Sequence, residues 1–162
     1  MRGFKIIVAN RTLNSTGVFF ATCFGVGYLP KAPGTWASLI ALPVAWAISN
    51  LFGILVFLII IGILFCIGIW AANRCIKYFG HKDPSYVVVD EVVGQFFTLV
   101  FIPPDLIFYT IGFILFRIFD ILKPWPINWA DRDLNSGFGI MFDDVLAGVY
   151  SSIILVIYVN WA

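Results

Sequence analysis

The stretch LFGILVFLIIIGILFCIGIWAA, residues 51 to 72, decides the fold of this chain. It contains no charged residue and has the length of about 20 residues that an α-helix needs to cross a bilayer. The whole 162-residue chain has the same character, with 61% hydrophobic and 12% charged residues, whereas soluble domains carry about 25% charged residues. We therefore predict an all-α fold, a polytopic membrane helical bundle that forms one domain over residues 1–162.

Two helical hairpins are predicted around and after this stretch. Residues 36 to 50 are also apolar, contain Pro43, and end at Ser49-Asn50, which is typical of a turn into the following helix. Residues 86 to 102 form a second apolar run, which Pro103-Pro104-Asp105 ends before residues 106 to 119 return.

The ends of the chain complete the predicted bundle. A last helix is expected to follow Asp143-Asp144 and to end near Trp161 at the bilayer interface. Residues 17 to 29 are too short to cross the membrane, so they are expected to re-enter or to lie along the interface.

The predicted spans are short, and their ends differ in charge. Residues 36 to 50 would give a helix of only about 22 Å. Both hairpin turns are expected to lie on one side of the membrane, with Asp105 as the one charged residue on that side. The loops at 1 to 16 and 73 to 82 are basic, so the positive-inside rule makes the charged side cytoplasmic.

Two pairs of acidic residues stand out within this apolar chain. Asp90 and Glu91 lie near the cytoplasmic end of their apolar run, and Asp143-Asp144 opens the last helix. A charged side chain inside a membrane helix costs about 2.5–3.5 kcal/mol at the bilayer centre and usually faces a polar cavity. Each pair is followed by a glycine one helical turn later, which lets helices approach closely. These glycines are Gly94 and Gly148.

Clustered carboxylates of this kind need a counter-charge, and a divalent cation supplies one. The oxygen-only donors, joined by Asp120, suit Mg²⁺ better than zinc. Arg117 and Lys123 are then free to bind an anion such as phosphate. The segment PKAPGTWAS at residues 30 to 38 leads into a helix and offers further phosphate donors. These donors are Lys31, Thr35 and Ser38.

Simpler interpretations exist for several of these residues. Asp143 or Asp144 alone is typical of a helix cap, and Arg117 with Asp120 is equally consistent with a structural ion pair. His81 is interpreted as a loop residue, and the three cysteines as small core residues. The net charge of +1 gives no reason to expect a nucleic-acid partner. A purely structural interpretation is least convincing for Asp90 and Glu91, because intramembrane carboxylates are usually functional.

The chain resembles bacterial phosphatidylglycerophosphatase A over about residues 25 to 157. Four blocks carry the resemblance, and the first 24 residues contain no motif of this kind. The blocks are GVGYLPKAPGTWASL, VVVDEVVGQ, FRIFDILKPWPINWADR and GFGIMFDDVLAG.

The resemblance implies a Mg²⁺-dependent phosphomonoester hydrolase of phospholipid synthesis in the bacterial cytoplasmic membrane, with phosphatidylglycerophosphate as its substrate. The family motif positions carried over to this chain are Thr35, Ser38, Asp90, Glu91, Arg117, Asp120, Lys123, Asp143 and Asp144.

Within this expectation, Asp90, Glu91, Asp143 and Asp144 are the candidate metal ligands, and Asp120 orients Arg117 or acts as a general base. Direct attack by water and a covalent aspartyl-phosphate both remain open, as does the oligomeric state. The alternative function is an ion- or proton-coupled carrier or channel subunit that uses the same carboxylates.

Overall fold

The computed structural model describes residues 16–79 and 85–161. The predictions for the basic N-terminal segment, for residues 80–84 and for His81 lie outside these ranges. Every regular element in the described residues is helical, which confirms the all-α fold class. A 3₁₀ turn spans Val26–Tyr28. The α-helices are α1 (Thr16–Ala21), α2 (Pro33–Phe79), α3 (Val89–Leu99), α4 (Leu106–Leu122), α5 (Ile127–Asp133) and α6 (Gly137–Trp161).

The first hairpin is present in α2, but its turn lies at Gly53 and not at the predicted Ser49-Asn50. Gly53 has φ 73° and ψ 179°, a conformation open almost only to glycine, and it separates two helical arms. A straight helix of 47 residues would be about 70 Å long at 1.5 Å per residue. Instead the two ends of α2 come to the same end of the bundle. Gly34 packs against the Glu91 side chain, and the Asn73 side-chain oxygen accepts a hydrogen bond from the Gly137 N–H at 2.9 Å.

The second hairpin has its turn where the sequence predicts it. Asp105 caps α4, with its carboxylate accepting hydrogen bonds from the N–H groups of Ile107 at 2.8 Å and Phe108 at 3.2 Å. Helix α3 covers only Val89–Leu99 of the apolar run at 86 to 102 and is about 16 Å long. The two hairpins pack together through Phe57 against Phe96, with ring centroids 5.3 Å apart.

The last helix begins earlier than the sequence suggests, so Asp143 and Asp144 do not open it. Helix α6 starts at Gly137, and Ser136 caps it by accepting a hydrogen bond from the Gly139 N–H at 3.4 Å. Asp143 and Asp144 therefore lie in the second turn of α6, and the interpretation of either as a helix cap is wrong.

The segment at 17 to 29 contains the short helix α1 and the 3₁₀ turn, and α1 packs against α2. At six residues α1 is about 9 Å long and does not span a membrane. The Val88 N–H donates a hydrogen bond to the Ala21 carbonyl oxygen at 2.8 Å, which ties this segment to the start of α3. The segment therefore lies at the end of the bundle where the acidic pairs are found.

Within residues 16–79 and 85–161, two helices are long and apolar enough to cross a membrane, α2 over Pro33–Lys77 and α6 over Gly137–Trp161. Large apolar side chains on the outside of the bundle are exposed, among them Leu51, Leu55 and Ile157. An exposed apolar surface of this extent is typical of a protein that faces lipid.

Candidate active site

Helices α3 and α6 approach each other closely, and this approach places the acidic pairs together. A Cβ on Gly94 would lie 2.6 Å from the Asp144 carbonyl oxygen, and a Cβ on Gly148 would lie 2.6 Å from the Gly94 carbonyl oxygen. Neither position has room for a side chain. The prediction that the two glycines bring the acidic ends of their helices together is confirmed.

A cavity of about 440 Å³ lies where these helix ends meet α4 and α5. Among the described residues, six carboxylates and three basic side chains line it, which is a formal excess of three negative charges. The carboxylates belong to Asp90, Glu91, Asp120, Asp131, Asp143 and Asp144, and the basic side chains to Arg117, Lys123 and Arg132.

Three of the carboxylates form a cluster suited to a metal ion. One oxygen from each of Asp90, Glu91 and Asp144 lies within 4.8 Å of the other two. An ion equidistant from three oxygens 4.8 Å apart would lie about 2.8 Å from each, against a Mg²⁺–oxygen bond length of about 2.0–2.1 Å, so inward shifts of less than about 1 Å would close the cluster around the ion. The Glu91 Oε2 atom is buried and has no hydrogen-bond partner in the described residues. The donor set and this unpartnered oxygen fit a hard divalent cation.

Asp143 is engaged differently from its neighbour Asp144. Its carboxylate Oδ2 atom lies 2.6 Å from the Lys123 ammonium group, which also contacts Asp131 at 2.5 Å. Burial alone would lower the pKa of Lys123, but the carboxylates of Asp143 and Asp131 outweigh it and raise that pKa well above its usual range. Lys123 is therefore a fixed positive charge at the edge of the cavity.

Arg117 and Asp120 form an ion pair on the last turns of α4. The Arg117 Nη1 atom lies 2.5 Å from the Asp120 Oδ2 atom, and both side chains are largely buried. The Arg117 Nε atom is also buried and has no hydrogen-bond partner within the part of the chain described. The guanidinium group is thus held in place by Asp120 and keeps a donor for another ligand.

The structure brings most of the predicted site residues together. Both acidic pairs, Arg117, Asp120 and Lys123 line the one cavity. The three phosphate donors predicted from residues 30 to 38 do not line this cavity. Lys31 is exposed, Thr35 lines a neighbouring groove, and Ser38 is buried with its hydroxyl donating to the Gly34 carbonyl oxygen at 2.9 Å. From this segment, the residues that reach the cavity are Ala32, Pro33 and Gly34.

Sequence reasoning missed Asp131 and Arg132, which come from the short helix α5. Their alternating charges in ADRD are typical of a solvated surface, and both residues are indeed exposed. The signal that could have identified them is their position at the end of the block FRIFDILKPWPINWADR, which also contains residues already assigned to the site.

Comparisons with known proteins identify the family to which the chain is similar. The sequence model of a family described as phosphatidylglycerophosphatase A matches residues 19–159. The chain is 39% identical over 136 residues to the Escherichia coli protein named phosphatidylglycerophosphatase A, covering 83% of this chain and 78% of that protein. It is also 39% identical to the Haemophilus influenzae protein of the same name, over 87% of each chain.

A third relative carries a different name. A Bacteroides thetaiotaomicron protein, named as a candidate phosphatidylinositol-3-phosphatase, is 41% identical over 86% of this chain and 91% of its own length. No solved structure matches the chain significantly.

Proposed function

The chain belongs to the phosphatidylglycerophosphatase A family, and we propose that it removes the terminal phosphate of phosphatidylglycerophosphate, giving phosphatidylglycerol and inorganic phosphate. Its identity as a phosphatase rests on the family match over most of the chain. The observation that carries the mechanism is the cluster of Asp90, Glu91 and Asp144 oxygens within 4.8 Å, in a cavity that Arg117 and Lys123 also line.

The reaction is Mg²⁺-dependent in this proposal. Asp90, Glu91 and Asp144 would hold the ion, which would supply polarisation of the phosphate and neutralise the negative charge of the carboxylates. Without a cation, a cavity with this negative excess would repel a phosphate dianion.

The side chains of the cavity position the phosphate and stabilise the charge that develops on it. Arg117 donates to the phosphoryl oxygens from its free Nε atom, and Asp120 keeps the guanidinium plane oriented. Lys123 is held at the cavity edge by Asp143 and Asp131 and adds a second positive charge. In the net reaction, a water oxygen bonds to phosphorus, the bond from phosphorus to the glycerol oxygen breaks, and the glycerol oxygen takes up a proton.

The substrate is a lipid, so the site belongs at a membrane surface. We place the chain in the bacterial cytoplasmic membrane with the cavity on the cytoplasmic side, in line with the two apolar helices and the exposed apolar surface. The acyl chains stay in the bilayer while the terminal phosphate reaches the cavity. The carrier alternative requires a polar path through the bundle. Below the carboxylates, however, Thr98 and Ser151 donate their hydroxyls to carbonyl oxygens of their own helices.

The test is phosphate release by the purified protein in detergent from phosphatidylglycerophosphate, phosphatidic acid and phosphatidylinositol 3-phosphate. We expect the highest kcat/KM with phosphatidylglycerophosphate, loss of turnover in EDTA, and recovery with Mg²⁺. Asp90→Asn is expected to abolish turnover. Full activity in EDTA would contradict the metal assignment, and a preference for the inositol lipid would contradict the substrate assignment.

A further inference from the structure

A second hollow borders the charged cavity and differs from it in chemistry. This apolar groove has a volume of about 430 Å³. Both hollows fall in the range of about 300–1,000 Å³ that is usual for ligand sites. Arg117 lies at one edge of the groove. The other residues that line it are Thr35, Phe113, Ile114, Ile118, Ile121 and Leu122.

The groove and the cavity are lined by neighbouring residues of the same two helices, α2 and α4. Arg117 lines both of them. At the start of α2, Gly34 faces the cavity while the next residue, Thr35, lines the groove. On α4, Asp120 faces the cavity and Ile121 lines the groove. A ligand lying across Arg117 would therefore meet charged groups at one end and apolar groups at the other.

We infer that the groove holds an acyl chain of the lipid substrate while the phosphate occupies the charged cavity. The ligand class is a diacylglycerol phosphate ester, and the inference rests on the proposed function. The groove-lining residues Ile114, Ile118 and Ile121 are 50%, 43% and 68% exposed, so the groove is open to the bilayer along α4. The substrate enters sideways from the membrane, and its phosphate meets the free Nε atom of Arg117 at the junction.

This arrangement makes α4 a determinant of specificity for the lipid portion of the substrate. The acyl chain moves into the groove from an equally apolar bilayer, so what it adds to binding is packing contact with the groove, which the free headgroup cannot make. The charged cavity alone would treat both alike.

The test fills the groove and compares two substrates. Ile114→Trp places a large ring in it, and the matched control is Ile59→Trp, on an exposed part of α2 away from the groove. Ile114 is 50% exposed and Ile59 is 52% exposed. Dioleoyl phosphatidylglycerophosphate is presented in detergent micelles at varied mole fraction, and its deacylated, water-soluble headgroup is assayed in parallel.

We expect Ile114→Trp to raise KM for the diacyl substrate on the order of tenfold, because the indole ring takes up the space in which the acyl chain would pack. Its kcat/KM for the deacylated headgroup should stay within about twofold of the unmodified protein, and Ile59→Trp should change neither value. An equal effect on both substrates, no effect on either, or the same effect from Ile59→Trp would overturn the inference. The last result would mean that only general bilayer lipid covers this surface.

A second measurement does not depend on turnover. A phosphatidic acid analogue with a diazirine in its acyl chain is photolysed with the Asp90→Asn variant in vesicles, and labelled peptides are mapped. We expect stronger labelling at residues 113–122 than at the exposed surface formed by residues 54–63. Adding Ile114→Trp to the Asp90→Asn variant should reduce the labelling at residues 113–122. Equal labelling of both surfaces would overturn the groove, even if the unmodified protein hydrolysed none of the lipids tested and the proposed function were wrong.

Discussion

The backbones of Gly94 and Gly148 pack directly against each other. A Cβ on Gly148 would lie only 2.6 Å from the Gly94 carbonyl oxygen. This contact lies one helical turn beyond the carboxylates, Gly94 following Asp90 on α3 and Gly148 following Asp144 on α6. The distance between the two helices at the glycines therefore sets the spacing of the carboxylates on which the metal cluster depends.

Gly148→Ala is expected to push α3 and α6 apart, since the added methyl group meets backbone that has no freedom to move aside. Overpacking of this kind costs about 1–3 kcal/mol of stability. Because the carboxylate cluster would open as well, we expect phosphate release to fall by more than the loss of folded protein explains. Activity per folded molecule and thermal unfolding in detergent, measured on one preparation, check both effects.

Gly62→Ala is the matched control for this change. Gly62 lies inside α2, and a Cβ added there would have nothing within 4 Å of it, so alanine fits and favours the helix. Equal losses from the two substitutions would show that the Gly94–Gly148 contact has no special role.

Asp144→Asn and Asp143→Asn are expected to differ, although the two residues are adjacent. Asp144 belongs to the metal cluster, whereas Asp143 is paired with Lys123. Changes to groups that only support metal ligands already cost about 10- to 100-fold in affinity. Asp144→Asn should therefore raise the Mg²⁺ concentration for half-maximal activity at least about tenfold. Asp143→Asn should leave that concentration nearly unchanged and lower kcat.

A Mg²⁺ titration of phosphate release measures both variants. Asp105→Asn is the control, because it removes a carboxylate at the opposite end of the bundle and leaves a residue that caps α4 equally well. Equal shifts in Mg²⁺ dependence for Asp143→Asn and Asp144→Asn would contradict the distinction and would make Asp143 a ligand, as the sequence alone predicts.

Lys123 should contribute stability that is constant between pH 8 and pH 9. Its pKa is raised in the folded protein, so its positive charge is fully present below the pKa of an unfolded lysine, about 10.4, and is lost only as the pH rises through the higher folded value. Hydrogen bonds to charged groups contribute about 1.5–3 kcal/mol. Lys123→Gln should lower the unfolding free energy by that amount equally at pH 8 and pH 9.

Chemical unfolding in detergent at each pH gives this difference, and the exposed Lys77→Gln serves as the control for loss of a lysine charge. A stability difference that disappears between pH 8 and pH 9 would mean that Lys123 loses its proton there, contrary to its pairing with Asp143 and Asp131.

Local sequence patterns predicted the parts of the fold that depend on local chemistry. The turn at Pro103-Pro104-Asp105 follows from residues that cannot continue a helix and from an aspartate that caps the next one. The approach of α3 and α6 follows from glycines at helical spacing. Both features can be predicted from short sequence patterns alone, without knowledge of which distant segments come into contact.

Features decided by contacts between distant residues could not be read in this way. Gly137 and Gly139 disfavour a helix at 137 to 139, yet α6 begins there because Gly137 fits against Ile69 and Asn73 of α2. The same limit applies to Lys123 and Asp143, which are 20 residues apart and pair only because α4 ends beside α6. The pairing separates the roles of two adjacent aspartates that look alike in the sequence.

The turn in α2 shows how a local signal can mislead by a few residues, and it gives the last prediction. Asn50 does not end the helix because its side chain donates to the Trp46 carbonyl oxygen at 2.9 Å within the same helix. Gly53 ends it, with φ 73° and nothing within 4 Å of a Cβ position, so a substitution there is opposed by backbone strain and not by lack of space. Gly53→Ala should cost about 1–3 kcal/mol.

Thermal unfolding in detergent measures this cost, with Gly62→Ala as the control for the same substitution at a helical position. Because Gly53 lies at the end of the bundle away from the cavity, kcat and KM of the molecules that remain folded should be unchanged. Asn50→Ala should cost much less than Gly53→Ala, since position 50 is already helical. A larger loss from Asn50→Ala would place the turn back at Ser49-Asn50 and contradict the break at Gly53.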